Sequence, residues 1–578
     1  THGGVMPFEL NLDPSDLIID RYIPDIRPIF PRPAKVRILI VLEPGISPGP
    51  PGSGFGLGRV VSYLRNESFG FVNFEVDFAL RGTDDSPTAV DIDNGAGEWD
   101  FRYRDFRYHS VEDGTPILHG YDELWCFGIN PNIHDNGDNQ SVKDSEYSST
   151  PAELTVLTEW MDNGGGVLAM GDHNFLGSAM CWNIPRVGTM RAWLKDDNDG
   201  RSVPNRTGTD RHDTNRPQNA SQDASQTPNP AMIPNSVERD AIAQPLEWKK
   251  YSVWSRLVFQ RRRRPHPVLC GGSLGVIDRF PDHPHEGLVI HEDLIDFTAK
   301  CLHDNSKDEY PTVDGQQPTA EAIAWVSTLP DPPYNLAKGD QPARRFPAIG
   351  VYNGHSIDHG RVLVDSTWHH WFDMNIAQLE ASDSEDFQKI KRYFQNVAIW
   401  LAPKHEQQKM LNYGAFWTVL ANPSFEELTL DTPIFTLGGQ AIDILGRATS
   451  DCLVTDWLLE FIPRPIHDLF RPRKPFPIPE PCWSCPPEEL ISQAVMGGVI
   501  RELLPYRDKL IEKSWGRKKV DIAFKPDEIE QTIQVGVFQG IEALMKTVDE
   551  NREAMERLSK LTLEAFEESL KTLKVRRR

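Results

Sequence analysis

The chain has 578 residues, too many for one ordinary core, so two or three domains are expected. A formal charge of −23, from 61 basic and 84 acidic side chains, repels phosphate backbones and excludes general nucleic-acid binding. No stretch of about 18 apolar residues is present, so no membrane insertion is expected either.

Residues 1–34 read as an extended arm with prolines at 24, 28, 31 and 33, and carry neither the basic region nor the apolar core of a signal peptide. VRILIVL (Val36–Leu42) is a continuous, partly β-branched apolar run, the pattern of a strand buried on both faces. A Gly/Pro-rich loop follows, then GRVVSYLRN as a helix. FVNFEVDFAL (Phe71–Leu80) alternates as a second strand, and YDELWCFGI (Tyr121–Ile129) is a third. Thr150, Pro151 and Glu153 spell a capping box with proline at the first helical position, so a helix starts there and stops at Gly164–Gly166. GVLAM is the next strand. Residues 196–245 are polar, poor in aliphatics and read as a surface insertion.

Strands are expected again at Gly275–Phe280, Gly287–His291, Phe346–Tyr352 and Gly360–Thr367, closed by a helix over Asp386–Ala402. Alternation of strand and helix predicts an α/β domain over 35–403, an open and mostly parallel sheet with helices on both faces. Beyond it come a helical extension over 404–470, a Pro-rich linker at 471–487 and a helical region over 488–578. In that last region Leu563, Phe566, Leu570 and Leu573 are spaced 3-4-3, a face through which a protein partner or a second copy could pack. Seven scattered cysteines suit a reducing, cytoplasmic setting better than a disulfide framework. Cys482 and Cys485 form a CxxC with no second pair to complete a zinc site.

Four short stretches hold seven of the 17 histidines: GDH at Gly171–His173, PDHPHEG at Pro281–Gly287, GHSIDHG at Gly354–Gly360 and DSTWHHW at Asp365–Trp371. Each follows an expected strand, where an α/β sheet places its functional loops. Histidine titrates nearest neutrality and is the commonest metal ligand. Asp172, His173, His369 and His370 are therefore candidate catalytic groups. His283, His285 and Glu286 are candidate ligands for a divalent metal. Glu43, Gly56, His355, Asp358, His359 and Trp368 are candidate walls of a small-molecule pocket. The bland alternative is that Asp172 caps a helix near 174–181 and that Trp368 and Trp371 are core. Gly52, Gly54, Gly56 and Gly58 alternate, which fails the GxGxxG dinucleotide fingerprint, although amides at the start of the following helix suit an anion.

The order VRILIVL, Gly-rich loop, helix, strand, then GGGVLAMGDH and the late GRVLVDSTWHHW resembles the class I glutamine amidotransferase-like superfamily, its ThuA-like branch included, over about 35–403. The resemblance implies a flavodoxin-like sheet, with a nucleophilic cysteine on the turn after GVLAM and a histidine near His369. This chain has Gly171-Asp172-His173 at that turn instead, and Cys181 lies two helical turns on. Ordinary glutaminase chemistry is therefore not expected. Two readings remain: a hydrolase-like protein with a His/Asp site, metal-assisted or not, and a non-catalytic binding or assembly module whose C-terminal helices recruit a partner or self-associate. A deep polar pocket at the histidine rim favours the first; a rim filled by Trp368, Trp371 and the insertion favours the second.

Overall fold

The computed structural model describes residues 33–52, 54–66, 71–130, 146–171, 176–193, 243–254, 261–281, 289–328, 344–421, 429–461, 488–515 and 526–576. Nearly all of the N-terminal arm, most of the polar insertion, and the linker with Cys482 and Cys485 lie outside these residues.

The sheet strands are β1 (Ala34–Leu42), β2 (Val72–Arg81), β3 (Asp91–Ile92), β4 (Phe101–Phe106), β5 (Glu123–Phe127), β6 (Gly166–Met170), β7 (Glu247–Trp248), β8 (Ala320–Thr328), β9 (Arg344–Tyr352) and β10 (Val362–Asp365). They form one ten-stranded sheet in the order β7-β8-β9-β10-β6-β5-β1-β2-β4-β3. The pairs from β10 through β4 are parallel. Both ends of the sheet are antiparallel. The protein is thus mixed α/β with a mostly parallel central sheet. β5, β6 and β10 are fully buried, as strands covered on both faces must be.

The sheet's first half and centre carry α1 (Gly58–Asn66), α2 (Pro151–Asp162) and the single turn α3 (Ser178–Cys181), with a further single turn at Val187–Met190. The α2 capping box forms as the sequence predicts: Thr150 N–H donates to Glu153 Oε2 at 2.9 Å, and Glu153 N–H donates to Thr150 Oγ1 at 3.4 Å. After β10 come α4 (Asp373–Ser382) and α5 (Glu385–Leu401), the latter capped by Ser384. The remaining helices are α6 (Lys404–Ala421), α7 (Ile434–Ala448), α8 (Asp451–Phe461), α9 (Glu488–Trp515) and α10 (Pro526–Arg576).

Two expected strands are not members of the sheet. Within Gly275–Phe280, Arg279 and Phe280 pair with Pro245 and Gln244, and Val276 makes a single bridge to Cys270. Gly287 and Leu288 lie outside the described residues, and among the described ones of Gly287–His291 Val289 bridges to Arg191. The basic run Arg261–Arg264 is a strand paired with Tyr251–Trp254. The alternating FRYRDF and the run AIAWV supply β4 and β8 instead.

The helical region is fastened to the sheet by a buried cation. Arg361, fully buried just before β10, donates to Trp400 O at 3.0 Å and pairs with Asp456 at 2.8 Å and Glu460 at 3.1 Å, both on α8. Within the helical region, α7, α9 and α10 touch backbone to backbone. A Cβ on Gly438 would overlap Gln493 O, and one on Gly540 would overlap Ala494 O. Ile529, Ile533, Val537, Ile541 and Leu544 bury the first half of α10. Among the described residues no helix is long and apolar enough to cross a membrane.

Candidate functional site

The parallel strands β1, β2, β5, β6 and β10 end on one edge of the sheet. The chain leaves β1 toward β2 and β4 on one side and returns to β5 and β6 on the other. Such a switch point opens a crevice at the carboxyl ends of β1 and β5, where α/β proteins hold ligands. Glu43 stands there, fully buried. Its Oε2 accepts from Ile129 N–H at 2.6 Å, Asn130 N–H at 2.5 Å and Asn130 Nδ2 at 3.1 Å. Its Oε1 has no hydrogen-bond partner among the described residues. Burial pushes this carboxyl up to about 7, against the pull of the two amides and of Arg81.

Three glycines bring the neighbouring strand ends together. Gly177, at φ +88, lies against Gly128 O and Gly171 Cα, where a Cβ would stand 2.9 and 3.0 Å away. Behind them the thiols of Cys126 and Cys181 are neighbours, and burial raises the Cys181 thiol far above its ordinary value. A thiol so held is a poor nucleophile at neutral pH. Tyr108 Oη, 3.3 Å from Cys126 Sγ, closes this cluster.

At the end of β10, Asp365 is a fully buried node. Its Oδ1 lies 3.1 Å from His370 Nδ1, and its Oδ2 accepts from Trp371 Nε1 and Tyr393 Oη, each at 3.1 Å. His370 is itself fully buried, with the tilted ring of Phe280 against it, centroids 4.1 Å apart. Its Nε2 has no hydrogen-bond partner among the described residues. Beside it Arg191, also buried, donates to Ser366 O at 2.7 Å. His369 is half-buried and stacks on Trp368 at 4.4 Å.

The alternating-glycine loop leans on this node. Phe55 packs on Trp368 and Phe372, with centroids 4.9 and 4.1 Å apart. Gly56 O accepts from Asp373 N–H at 2.8 Å. Asp373 in turn takes the amides of Gly52 at 2.9 Å and Arg59 at 2.7 Å. The anion site expected at the start of α1 is therefore occupied by the protein's own carboxylate.

The four histidine stretches do not form one rim. DSTWHHW sits on the carboxyl edge, where Trp368 N–H donates to Gly171 O at 3.0 Å. GHSIDHG sits on the opposite edge. Its Gly360 N–H donates to Met161 O, and His359 Nδ1 lies 3.4 Å from Asp162 Oδ1, both at the end of α2. The reason is β9, which runs antiparallel to β10. Residues 353–361 are too few for the crossover of about a dozen or more that a parallel return needs. His355 is buried at that far edge, and Asp358 anchors Lys404 at 3.1 Å. Neither these nor His359 can join a pocket with His370. Asp172, His173, His283, His285 and Glu286 lie outside the described residues. The chain enters the PDHPHEG stretch beside His370, at Phe280, and leaves it beside Arg191, at Val289.

Among the described residues, Asp85, His109 and Glu153 come close enough to suggest a metal cluster. Glu153, however, is already held by Arg81 at 2.6 Å and Arg107 at 3.3 Å, which hold its carboxyl below the ordinary range against the effect of burial. Two guanidiniums around one carboxylate repel a further cation, so the cluster reads as an ion-pair network. Sequence reasoning missed Asp365, Arg191, Asp373 and this network. Only Asp365 left a signal, an acid ending the apolar run RVLV.

No family model, no curated protein and no solved structure matches this chain.

Proposed function

We propose that this chain is a non-catalytic binding and assembly module on an α/β framework resembling the class I glutamine amidotransferase-like superfamily, and that α10 is its self-association element. The observation that carries the reading is the filled carboxyl edge. Trp371, Phe372 and Phe280 are at most 1% exposed there, Trp368 is 5% exposed, and Glu43, Asp365, Asp373 and Arg191 all bond inward. The described part of that edge is packed as a core.

The second half of α10 is the converse. This 51-residue helix spans about 76 Å at 1.5 Å per residue, and its later part leaves Leu558, Leu561 and Leu563 at 57–62% exposure. A lone helix in water is marginal without packing. A second copy laid along the face that Leu558 and Leu561 share, three residues apart, covers those two side chains. Sedimentation of the full chain beside Leu558→Glu/Leu561→Glu tests this. Self-association is expected in the wild type and lost in the variant, with an unchanged melting temperature. A wild type that stays monomeric at tens of micromolar removes the proposal.

One observation favours a hydrolytic reading instead: Asp365 holds His370 Nδ1 and leaves Nε2 without a hydrogen-bond partner among the described residues, the arrangement of an oriented general base. Turnover of esters or amides by the wild type, lost in His370→Gln without loss of fold, supports that reading.

A further inference from the structure

Cys270 and Cys452 are far apart in sequence and adjacent in space. Cys270 opens the tight turn to Val276, closed by Gly271 N–H to Gly275 O at 2.7 Å. Asn396 Nδ2 of α5 fixes the Cys270 carbonyl at 2.9 Å. The turn is pressed into the elbow between α7 and α8. A Cβ on Gly272 would stand 2.8 Å from Thr449 O and 3.0 Å from Gly446 O, so only glycine allows the approach. Ser450 caps α8, its Oγ accepting from Leu453 N–H at 3.2 Å, and Cys452 lies in the first turn of that helix. The Cys270 thiol is thus set against the start of α8, with the Cys452 thiol, the Cys452 and Gly272 amides and the Ser450 hydroxyl around it as potential donors. These contacts, the Cys452 thiol foremost, bring the Cys270 thiol down to about 7 although burial opposes them. Cys270 keeps partial exposure, whereas Cys452 is only 7% exposed.

We propose that Cys270 and Cys452 are a hydroperoxide-responsive thiol pair whose disulfide staples the α/β domain to the helical region. Cys270 is the attacking sulfur, because it is the more accessible and is surrounded by donors. Its thiolate attacks one oxygen of a hydroperoxide. An S–O bond forms, the O–O bond breaks, and the departing alkoxide or hydroxide takes a proton. Cys452 sulfur then attacks the Cys270 sulfenic acid. The S–S bond forms, the S–O bond breaks, and the hydroxyl leaves as water with the Cys452 proton. Two thiols and one hydroperoxide give a disulfide, an alcohol or water, and water. The other adjacent pair, Cys126 and Cys181, is an internal contrast: fully buried, with the Cys181 thiol raised by burial, it is expected to stay reduced.

The test is peptide mapping of the full-length protein after stoichiometric hydrogen peroxide, under non-reducing conditions. A Cys270–Cys452 linked peptide in the wild type is expected. In Cys452→Ser a sulfenic acid on Cys270, trapped by dimedone, is expected. In Cys270→Ser neither product should form. Peroxide that leaves both thiols free, or links Cys126 to Cys181 first, overturns the proposal. So does a dimedone adduct on Cys452 of Cys270→Ser equal to that on Cys270 of Cys452→Ser, because the roles would then not be distinct. The wild-type map needs no variant to fold.

Discussion

Asp365 Oδ1 lies 3.1 Å from His370 Nδ1, and neither side chain reaches solvent. The same carboxylate holds Trp371 and Tyr393, so one acid at the end of β10 joins that strand to α5 and to the aromatic filling of the sheet edge. Removing it leaves an imidazole, an indole N–H and a phenol without their acceptor in a core. Asp365→Ala is expected to cost about 3 kcal/mol or more, and Asp365→Asn less, since an amide oxygen still accepts from Trp371 and Tyr393. Urea denaturation of both variants checks the order.

Glu43 predicts a pH dependence. Its carboxyl titrates from 4.5 in the unfolded chain to about 7 in the folded one. Below the lower value both states hold the proton. Between the two values only the unfolded chain releases it, so stability falls as pH rises through this window and levels off above it. Glu43→Gln keeps the neutral form at every pH. Its advantage over the wild type is expected near zero at low pH and to grow to about 3 kcal/mol in mild alkali. A difference that does not change with pH would show that Glu43 is not protonated in the native state.

Asp373 fills the anion site at the start of α1. Asp373→Ala exposes the amides of Gly52 and Arg59. The variant is expected to melt lower than the wild type and to regain part of the loss in phosphate or sulfate, which leaves the wild type unmoved. Thermal melts with and without the anion decide it. Equal responses would mean that the carboxylate is not what blocks the site.

Gly540 lets α10 meet the backbone of α9. Gly540→Val forces the two helices apart, at an expected cost of about 2–4 kcal/mol. Because Arg361 fastens α8 to the sheet independently, the loss belongs to the helical region alone. Hydrogen exchange should rise in α9 and α10 while β1, β5 and β6 keep their protection.

Much of the central architecture is local and was therefore legible. The apolar runs of β1, β5 and β6 and the capping box of α2 carry their reasons in adjacent residues. The mixed α/β class follows from their alternation. The histidine rim was not legible in the same way. GHSIDHG and DSTWHHW both follow strands, and only strand direction tells which edge each occupies. The one clue was the short connection between β9 and β10.

The sequence by itself determined the elements that satisfy their own hydrogen bonds and periodicity, together with the acidic surface and the residue types at the strand ends. Tertiary structure decided which of those residues meet. Asp365 reaches Tyr393, Glu43 reaches Asn130, Asp373 reaches Arg59 and Cys270 reaches Cys452 through pairings spread over the chain. Strand order and direction are set by burial summed across the whole sheet, and no local pattern encodes that sum. For this reason the described part of the carboxyl edge, rich in polar side chains when read in line, folds into a packed and inward-bonded core.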